Sequence, residues 1–519
     1  MDLRREVETV LGDDGVKTDR KQVLPLLIHG DAAFAGQGSV AEVVASVDAA
    51  RDAVNEAQLN LESMVNAVAA GGDDPGSLVE DDLPDAVRHR REYQPHESSW
   101  KMTLPLVVLA GAAIVATDEH HVGLALGLRA RGHDVTVATS PYFRPLIERV
   151  GLRLVPLGTV EKYNTLTAHP DLWHHRKGFN VIAGAARESS SELYRVVREH
   201  GKGDDTVVVA NGLAFAARTA QETLGIRLVT AHLQPSCFQS VHQSPVLHPA
   251  LTWINAAPRS VKRGLLALTD WVADRTLGGA VNTHRRDLGL PPARRITSQW
   301  WHSPTGVIGM FPSWFAEAQP DWPQQVKLTG FPLYDERGTT EVPAGVSKFL
   351  DSGEPPVVFV AGSGNQQADR FFRAAVDGCA RSGCRGLLLT RYPAQVPTTL
   401  PTTVRHFDYV PLSQVLPRAA VFVHHGGIGS AAQALAAGIP HLVMPMTFDQ
   451  PDNAVRLQQL GVARVLSRSR FRGPAVARAL DELLGSDAVT RRCRALAARF
   501  EGVDGLAQAC SEIERIANV

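Results

Sequence analysis

Cysteine is scarce in this chain: five in 519 residues (Cys237, Cys379, Cys384, Cys493, Cys510), none in a Cys-x-x-Cys pair. That excludes a disulfide framework and a thiolate-built structural zinc site, and it suits a reducing cytosol. Net charge is nearly absent as well. Lys and Arg number 53 against 54 Asp and Glu, so the whole molecule has no reason to condense on nucleic acid or on an anionic membrane. Long apolar runs are missing too. The longest, 104–116, falls short of the ~18–20 residues of a spanning helix, and the opening MDLRREVETV is too charged for the apolar core of a signal peptide. A cytoplasmic protein is expected, with at most peripheral contact at the inner face of the plasma membrane.

What is present is ordinary globular composition, 44% hydrophobic and 21% charged, in a chain too long for one core. The first hundred residues stand apart. LPLLIHGDAAFAGQG runs into a glycine-rich turn, 40–69 have helical spacing of apolar positions, GGDDPGS breaks that helix, and 75–101 are polar and proline-containing. This predicts a partly helical extension and linker over 1–100.

From residue 104 the pattern alternates strand and helix. LPLVVLA, a helix over 119–131 ending at Gly132, HDVTVAT, TVVVA at 206–210, a helix over 214–224 and IRLVTAH predict one doubly wound unit over 101–330. A second series over 331–519 contains PPVVFVAGSG, GLLLT, VRHFDYV, AVFVHHGG and PHLVMP, followed by helical segments over 474–517 that could pack back across both units. The stretch 329–343, with Pro, Gly and charges, reads as the inter-domain linker. Parallel sheets of this kind bind ligands beyond the carboxyl ends of their strands, so the chemistry belongs in the loops there.

The most informative segment is HHGGIGSAAQALAAGIPHLVMPMTFDQPDNA, 424–454. Gly426, Gly427 and Gly429 allow close backbone approach after a strand, and the helix that follows presents unpaired N–H groups suited to phosphate. His425 and Ser430 add donors, Gln433 lies one turn on, and Asp449-Gln450 follow the next strand. Any one of these has a plainer reading as a tight turn, a solvated loop or core. The set points to a ligand.

This segment resembles the nucleotide-sugar motif of the family 1 glycosyltransferases, the UDP-glycosyltransferase superfamily whose GT-B fold sets two Rossmann-like domains across a cleft. GLRARGHDVTVATSPYF, LVTAHLQPSCFQS, MFPSWFAEAQPDWPQQVKLTGFPLYDE and HFDYVPLSQVLPRAAVFVHHGGIGS are similar to the bacterial branch that contains the rhamnolipid rhamnosyltransferases. The resemblance implies that His425, Gly427, Gly429 and Ser430 hold a pyrophosphate, with Ser363 adding a contact. It implies further that Gln433 binds ribose, Tyr409 stacks on the base, and Asp449 and Gln450 bind sugar hydroxyls. It implies a UDP- or dTDP-hexose donor and inverting transfer.

Inverting transfer needs a base for the acceptor hydroxyl. The family places it in the loop after the first strand, which here reads GAAIVATDEHHVG and lacks the family's Gly-Ser start, Gly-Asp pair and Pro. His120 and His121 are the candidates, and Asp118 would orient one of them or act itself. Asn211 sits near the usual orienting Asp and carries no charge, so the charge partner is unidentified. Trp173, His174, Phe179, Phe238, Trp253, Trp300 and Trp301 supply aromatic surface for a hydrophobic or lipid-like acceptor. With no Asp-x-Asp motif at a strand end, no metal and no further cofactor are expected.

Three other readings compete. LLIHGDAAFAGQGSVAE (26–42) resembles the thiamine-diphosphate domain of the 2-oxoglutarate dehydrogenase E1 component, a decarboxylase, on a short match with Asp31 as its magnesium ligand and no later Asn-Asn pair. Sugar-nucleotide epimerases share the two-domain architecture. The altered 111–123 loop also suits a non-catalytic nucleotide-sugar-binding protein.

Overall fold

The computed structural model describes residues 105–109, 118–201, 206–338 and 340–517, the first strand, Asp118, Glu119 and Pro249 by backbone alone. The readings over 1–100, including the helix at 40–69 and the 26–42 resemblance, lie outside the described residues.

Seven strands form one sheet: β1 (Pro105–Leu109), β2 (Asp134–Thr139), β3 (Arg153–Pro156), β4 (Val207–Ala210), β5 (Arg227–His232), β6 (Gly306–Gly309) and β7 (Val326–Leu328). Their order is β3-β2-β1-β4-β5-β6-β7, with parallel pairing throughout. Six more form a second sheet: β8 (Val357–Val360), β9 (Gly386–Leu389), β10 (Val404–Phe407), β11 (Val421–His424), β12 (His441–Val443) and β13 (Ala463–Val465). These lie in the order β10-β9-β8-β11-β12-β13, again parallel. In each sheet the order reverses beside the first strand, at β1/β4 and at β8/β11. Such switch points open a crevice at the strand ends.

The central strands are continuous apolar runs because helices cover both faces. Val207, Val208 and Val209 are fully buried, as are Val421, Phe422 and Val423. The helix after β1, α1 (Asp118–Ala130), is followed by Gly132 at φ 96°, a conformation that costs a side-chain-bearing residue steric strain. Two long helices widen the first unit, α2 (Gly178–His200) and α3 (Arg259–Asp287). In the second unit α4 (Ile428–Ala437) follows β11 and α5 (Gln450–Gln459) follows β12.

The C-terminal helix α6 (Gly505–Ala517) returns to the first sheet. Arg131 bonds Glu514 at 2.7 Å, Arg227 Nη1 donates to the Ala517 carbonyl at 2.5 Å, and Ile516 fills the space a Cβ on Gly306 would need.

The 329–343 stretch differs from an exposed linker. Its described residues form no helix or named strand, yet Phe331, Asp335 and Glu336 are buried. The two buried charges are matched, while Arg337 and Glu341 are exposed. Glu336, at φ 62°, pairs with Arg149 and lies 3.9 Å from Arg391, and the Asp335 carboxylate accepts from Ser413 N–H at 2.6 Å and Oγ at 3.1 Å. Among the described residues no helix is long and apolar enough to cross a membrane.

Candidate functional site

A cavity of about 550 Å³ opens between the carboxyl ends of the two sheets and is lined from both. One wall is the turn between β11 and α4. Gly426 adopts φ 92°, and a Cβ there would crowd the Gln450 carbonyl at 3.1 Å. Its carbonyl accepts from Asn453 Nδ2 at 2.9 Å, and its N–H donates to His424 Nδ1 at 3.2 Å. His424 must then donate from Nε2, which lies 3.1 Å from His441 Nδ1. Burial keeps this pair neutral, with His424 well below the usual imidazole range and His441 lowered to about 3. The turn therefore rests on a fixed, uncharged base.

His425 stands on that turn with its ring between two glycines. A Cβ on Gly427 would lie 2.5 Å from its Nε2, and one on Gly362 would lie 3.2 Å away. Burial lowers its pKa to about 4, partly opposed by the Val360 carbonyl. Its Nδ1 makes no hydrogen bond with the described residues. Ser430 and the buried Gln433 follow on the first turns of α4, and both line the cavity, as do Gly427, Gly429 and the exposed Ser363.

Asp449 and Gln450 enter from the end of β12. Gln450 Oε1 accepts from the N–H groups of Met446 at 2.9 Å and Thr447 at 3.3 Å, and the residue lines the cavity. Asp449 Oδ2 accepts from Asn453 Nδ2 at 2.7 Å. Burial raises its pKa to about 6 against the hydrogen bonds from its own backbone, Asn453 and Ile428, with Asp452 adding repulsion. Phe448, just before, is held at φ 60° with its ring 6.2 Å from that of Trp173 across the cleft. Tyr409 also lines the cavity. Its hydroxyl donates to the Asp335 carbonyl at 2.9 Å, and the Arg391 guanidinium lies 4.5 Å from its ring centre.

From the first sheet, α1 brings His120 into the cavity. Nδ1 lies 3.0 Å from the Pro332 carbonyl, so that nitrogen carries the proton and donates it. Nε2 faces Gly429 so closely that a Cβ there would sit 2.3 Å from it. Burial lowers the His120 pKa to about 4, aided by His121 and opposed by the Pro332 carbonyl. His121 is 1% exposed and does not line the cavity. Asp118 opens α1, with its side chain outside the described residues.

The rest of this wall is largely apolar. Trp173, Phe179 and Trp301 line it with Leu172, Ile182 and Val272. The other expected aromatics serve elsewhere or lie off the cavity. Phe238 stacks on Trp322 in the core, the Trp300 indole N–H donates to Glu222 at 2.7 Å, His174 stacks on His175, and Trp253 does not line the cavity. Asn211 lines the cavity with Oδ1 accepting from Leu213 N–H at 2.9 Å.

Sequence reading passed over several lining residues. Gln234 and Cys237 follow β5, and Arg391 follows β9. The strand-end rule, applied to those two strands as well, would have found them. Nothing in the sequence signals that Pro332 and Tyr334 meet α1. Among the described residues no group of three His, Cys, Asp or Glu side chains is arranged to hold a metal ion.

Residues 391–504 match the family model described as Erythromycin biosynthesis protein CIII-like, C-terminal domain. The chain is 31% identical over 418 residues to O-mycaminosyltylonolide 6-deoxyallosyltransferase of Streptomyces fradiae, covering 76% of this chain and 93% of that one. It is 28% identical to vancomycin aglycone glucosyltransferase of Amycolatopsis orientalis, covering 69% and 84%. Among solved structures, spinosyn rhamnosyltransferase SpnG complexed with thymidine diphosphate superposes with a TM-score of 0.57 at 18% identity, covering 79% of this chain and all of that one. The glycotransferase of kitacinnamycin gives 0.58 at 22%, covering 80% and 98%.

Proposed function

The chain belongs to the family 1 glycosyltransferases of GT-B fold, and from that premise we propose that it moves a hexose from a UDP- or dTDP-sugar to a hydroxyl of an apolar acceptor with inversion. One observation carries the reading. A glycine turn at a helix N-terminus, from one sheet, and a buried imidazole with a fixed tautomer, from the other, meet in one cavity whose remaining wall is largely apolar.

In this reading the diphosphate lies on the N–H groups of 427–430, where the helix dipole favours negative charge. His425 donates to it as a neutral imidazole, and Ser430 and Ser363 add hydroxyls. Gln433 takes the ribose. Tyr409 faces the base as one side of a Tyr409–Arg391 stack. Asp449 and the NH₂ of Gln450 take sugar hydroxyls, the first as acceptor and the second as donor. The acceptor lies against Trp173, Phe179 and Trp301, and the relationship to enzymes named for O-mycaminosyltylonolide and for vancomycin aglycone favours a bulky natural product there.

His120 is the base. With its Nδ1 proton bonded to Pro332, the Nε2 lone pair is the only ring site that can take a proton. The acceptor hydroxyl loses its proton to Nε2 as its oxygen attacks the anomeric carbon, and the bond to the diphosphate breaks on the opposite side. An α-linked donor thus gives a β product. A thermal-shift screen of nucleotide sugars tests the donor, because a ligand that binds only the folded state raises the melting temperature. Stabilisation by dTDP- or UDP-sugars, with transfer to an apolar alcohol, is expected. A response to neither nucleotide series would refute the assignment.

A further inference from the structure

His120 has the geometry of a base and the environment of a poor one. Among the described residues, the only charge acting on it is that of His121. Among the described side chains, the nearby ionisable groups are otherwise engaged. On the linker the Asp335 carboxylate is turned to Ser413, and beyond β12 Asp449 is held by Asn453. On the β11–α4 turn His425 is buried and neutral, and the helix N-terminus behind it is a positive dipole end. Asn211, beyond β4, has its carbonyl oxygen on Leu213 N–H and no charge to offer. Nothing described stabilises an imidazolium at this position.

What the geometry does supply is contact with the phosphate turn. Nε2 abuts Gly429, two residues after Gly427 and one before Ser430, on the cavity side of the helix N-terminus. We infer that the diphosphate of the bound donor is itself the charge partner of His120, so that the base is completed only when that ligand occupies the turn. This rests on the donor site proposed above. The linker carbonyl of Pro332 fixes which nitrogen is free, and the close packing of Tyr334 on Gly123, where a Cβ would meet Tyr334 Cβ at 2.7 Å, holds linker and helix in register.

The proton balance then closes within the site. The acceptor O–H bond breaks and its proton goes to Nε2. The acceptor oxygen bonds C1, and the C1–O bond to the diphosphate breaks with its electron pair on the leaving group. The new positive charge on His120 thus faces the new negative charge on the diphosphate. A unit charge at about 7 Å, in a medium of effective dielectric about 20, raises a neighbouring pKa by about 1.7 units. That is enough to bring His120 from about 4 into the range where it accepts a proton readily.

The test is a titration of the full chain carrying isotope-labelled histidine, read by imidazole NMR. The His120 signal is assigned by its loss in His120→Gln or, should that variant fail to fold, in His120→Asn, whose amide keeps a donor for Pro332. Thymidine diphosphate and uridine diphosphate are the probes, with thymidine and uridine as uncharged controls. The expected result is a His120 midpoint raised by about one to two units by whichever diphosphate binds and unmoved by the nucleosides. Linkage gives a second readout. For a shift of about 1.5 units, the unsubstituted chain should gain about fourfold in diphosphate affinity over the variant at pH 5, and nothing at pH 8. Diphosphate that binds without moving His120 overturns the inference and leaves the donor site standing. Failure of both diphosphates to bind overturns both.

Discussion

Replacing His425 by alanine isolates what one side chain contributes to holding a diphosphate. The imidazole is buried between Gly362 and Gly427 and held near pKa 4, so in the free protein it is neutral at working pH, and in the proposed complex it would donate a single N–H to an anionic oxygen. Hydrogen bonds to charged groups contribute about 1.5–3 kcal/mol, which is roughly tenfold to 150-fold in Kd. The vacated space adjoins the cavity and can fill with water, so little stability should be lost with the ring. Calorimetry with thymidine and uridine diphosphate, on protein whose circular dichroism matches the unsubstituted chain, measures the loss. The pH dependence adds a sign. Free His425 is protonated only below about pH 4, and bound diphosphate raises that pKa as it does for His120, so the affinity gap between the two proteins should be widest at low pH and narrow towards pH 8. Unchanged affinity in a folded variant would refute the assignment of the turn.

Asp449→Asn should melt above the unsubstituted chain at pH 8. A folded-state pKa raised to about 6 costs stability above that pH, so the advantage should vanish towards pH 4, while binding of a nucleotide sugar weakens more than that of the bare diphosphate. Gly429→Ala would place a Cβ 2.3 Å from His120 Nε2, so turnover should fall by about 10²–10⁴ in a protein that still folds, and unaltered kcat would place the base elsewhere. Asp452→Ala removes a buried carboxylate that accepts from Val246 N–H at 2.9 Å and from Arg456 Nε at 2.7 Å. The stranded Arg456 should lower the free energy of urea unfolding by about 3–5 kcal/mol. Because every site residue named above lies beyond residue 104, a chain lacking residues 1–98 should retain its fold by circular dichroism and its transfer activity.

The strands that were legible in the sequence are those whose burial leaves no choice of residue. Val207–Val209 and Val421–Val423 are apolar on both faces because helices cover both, and a run of that kind has few alternatives. The strands not anticipated are short or carry the wrong letters. Lys327 sits in β7, Arg464 in β13 and Arg153 in β3, and β6 begins and ends on glycine. All but β6 are edge strands (β3, β7 and β13), where a charge can reach solvent and the apolar run is interrupted. Pairing, not propensity, makes them strands. The second-sheet side of the candidate site was legible for a related reason. Its glycines, His425 and the Asp449-Gln450 pair all fall within 30 residues, so their spacing in sequence is nearly their spacing in space.

On the first-sheet side His120, Trp173, Phe179 and Trp301 were legible only within longer sets of candidates, because what sorts them is contacts that no local spacing records. His120 meets Gly429 across the cleft, Trp173 meets Phe448, and the Val246 N–H meets Asp452. Each pairs a residue of the first unit with one of the second, and in each the second partner belongs to the turn after β11 or the segment after β12. Phe448 shows how this works. A left-handed backbone is unfavourable for a phenylalanine, by about 1–3 kcal/mol. In this conformation the ring lies against Trp173 while the next residue, Asp449, stays on the helix N-terminus beside Ile428. A change at Phe448 should therefore move the acceptor wall and the sugar-binding carboxylate together. Phe448→Gly, which relieves the backbone and removes the ring, should weaken acceptor and nucleotide-sugar binding alike while diphosphate binding, carried by 425–430, stays within a few-fold. Separate loss of only one of the two, measured by initial rates over both substrates, would show that the walls are not coupled through this residue.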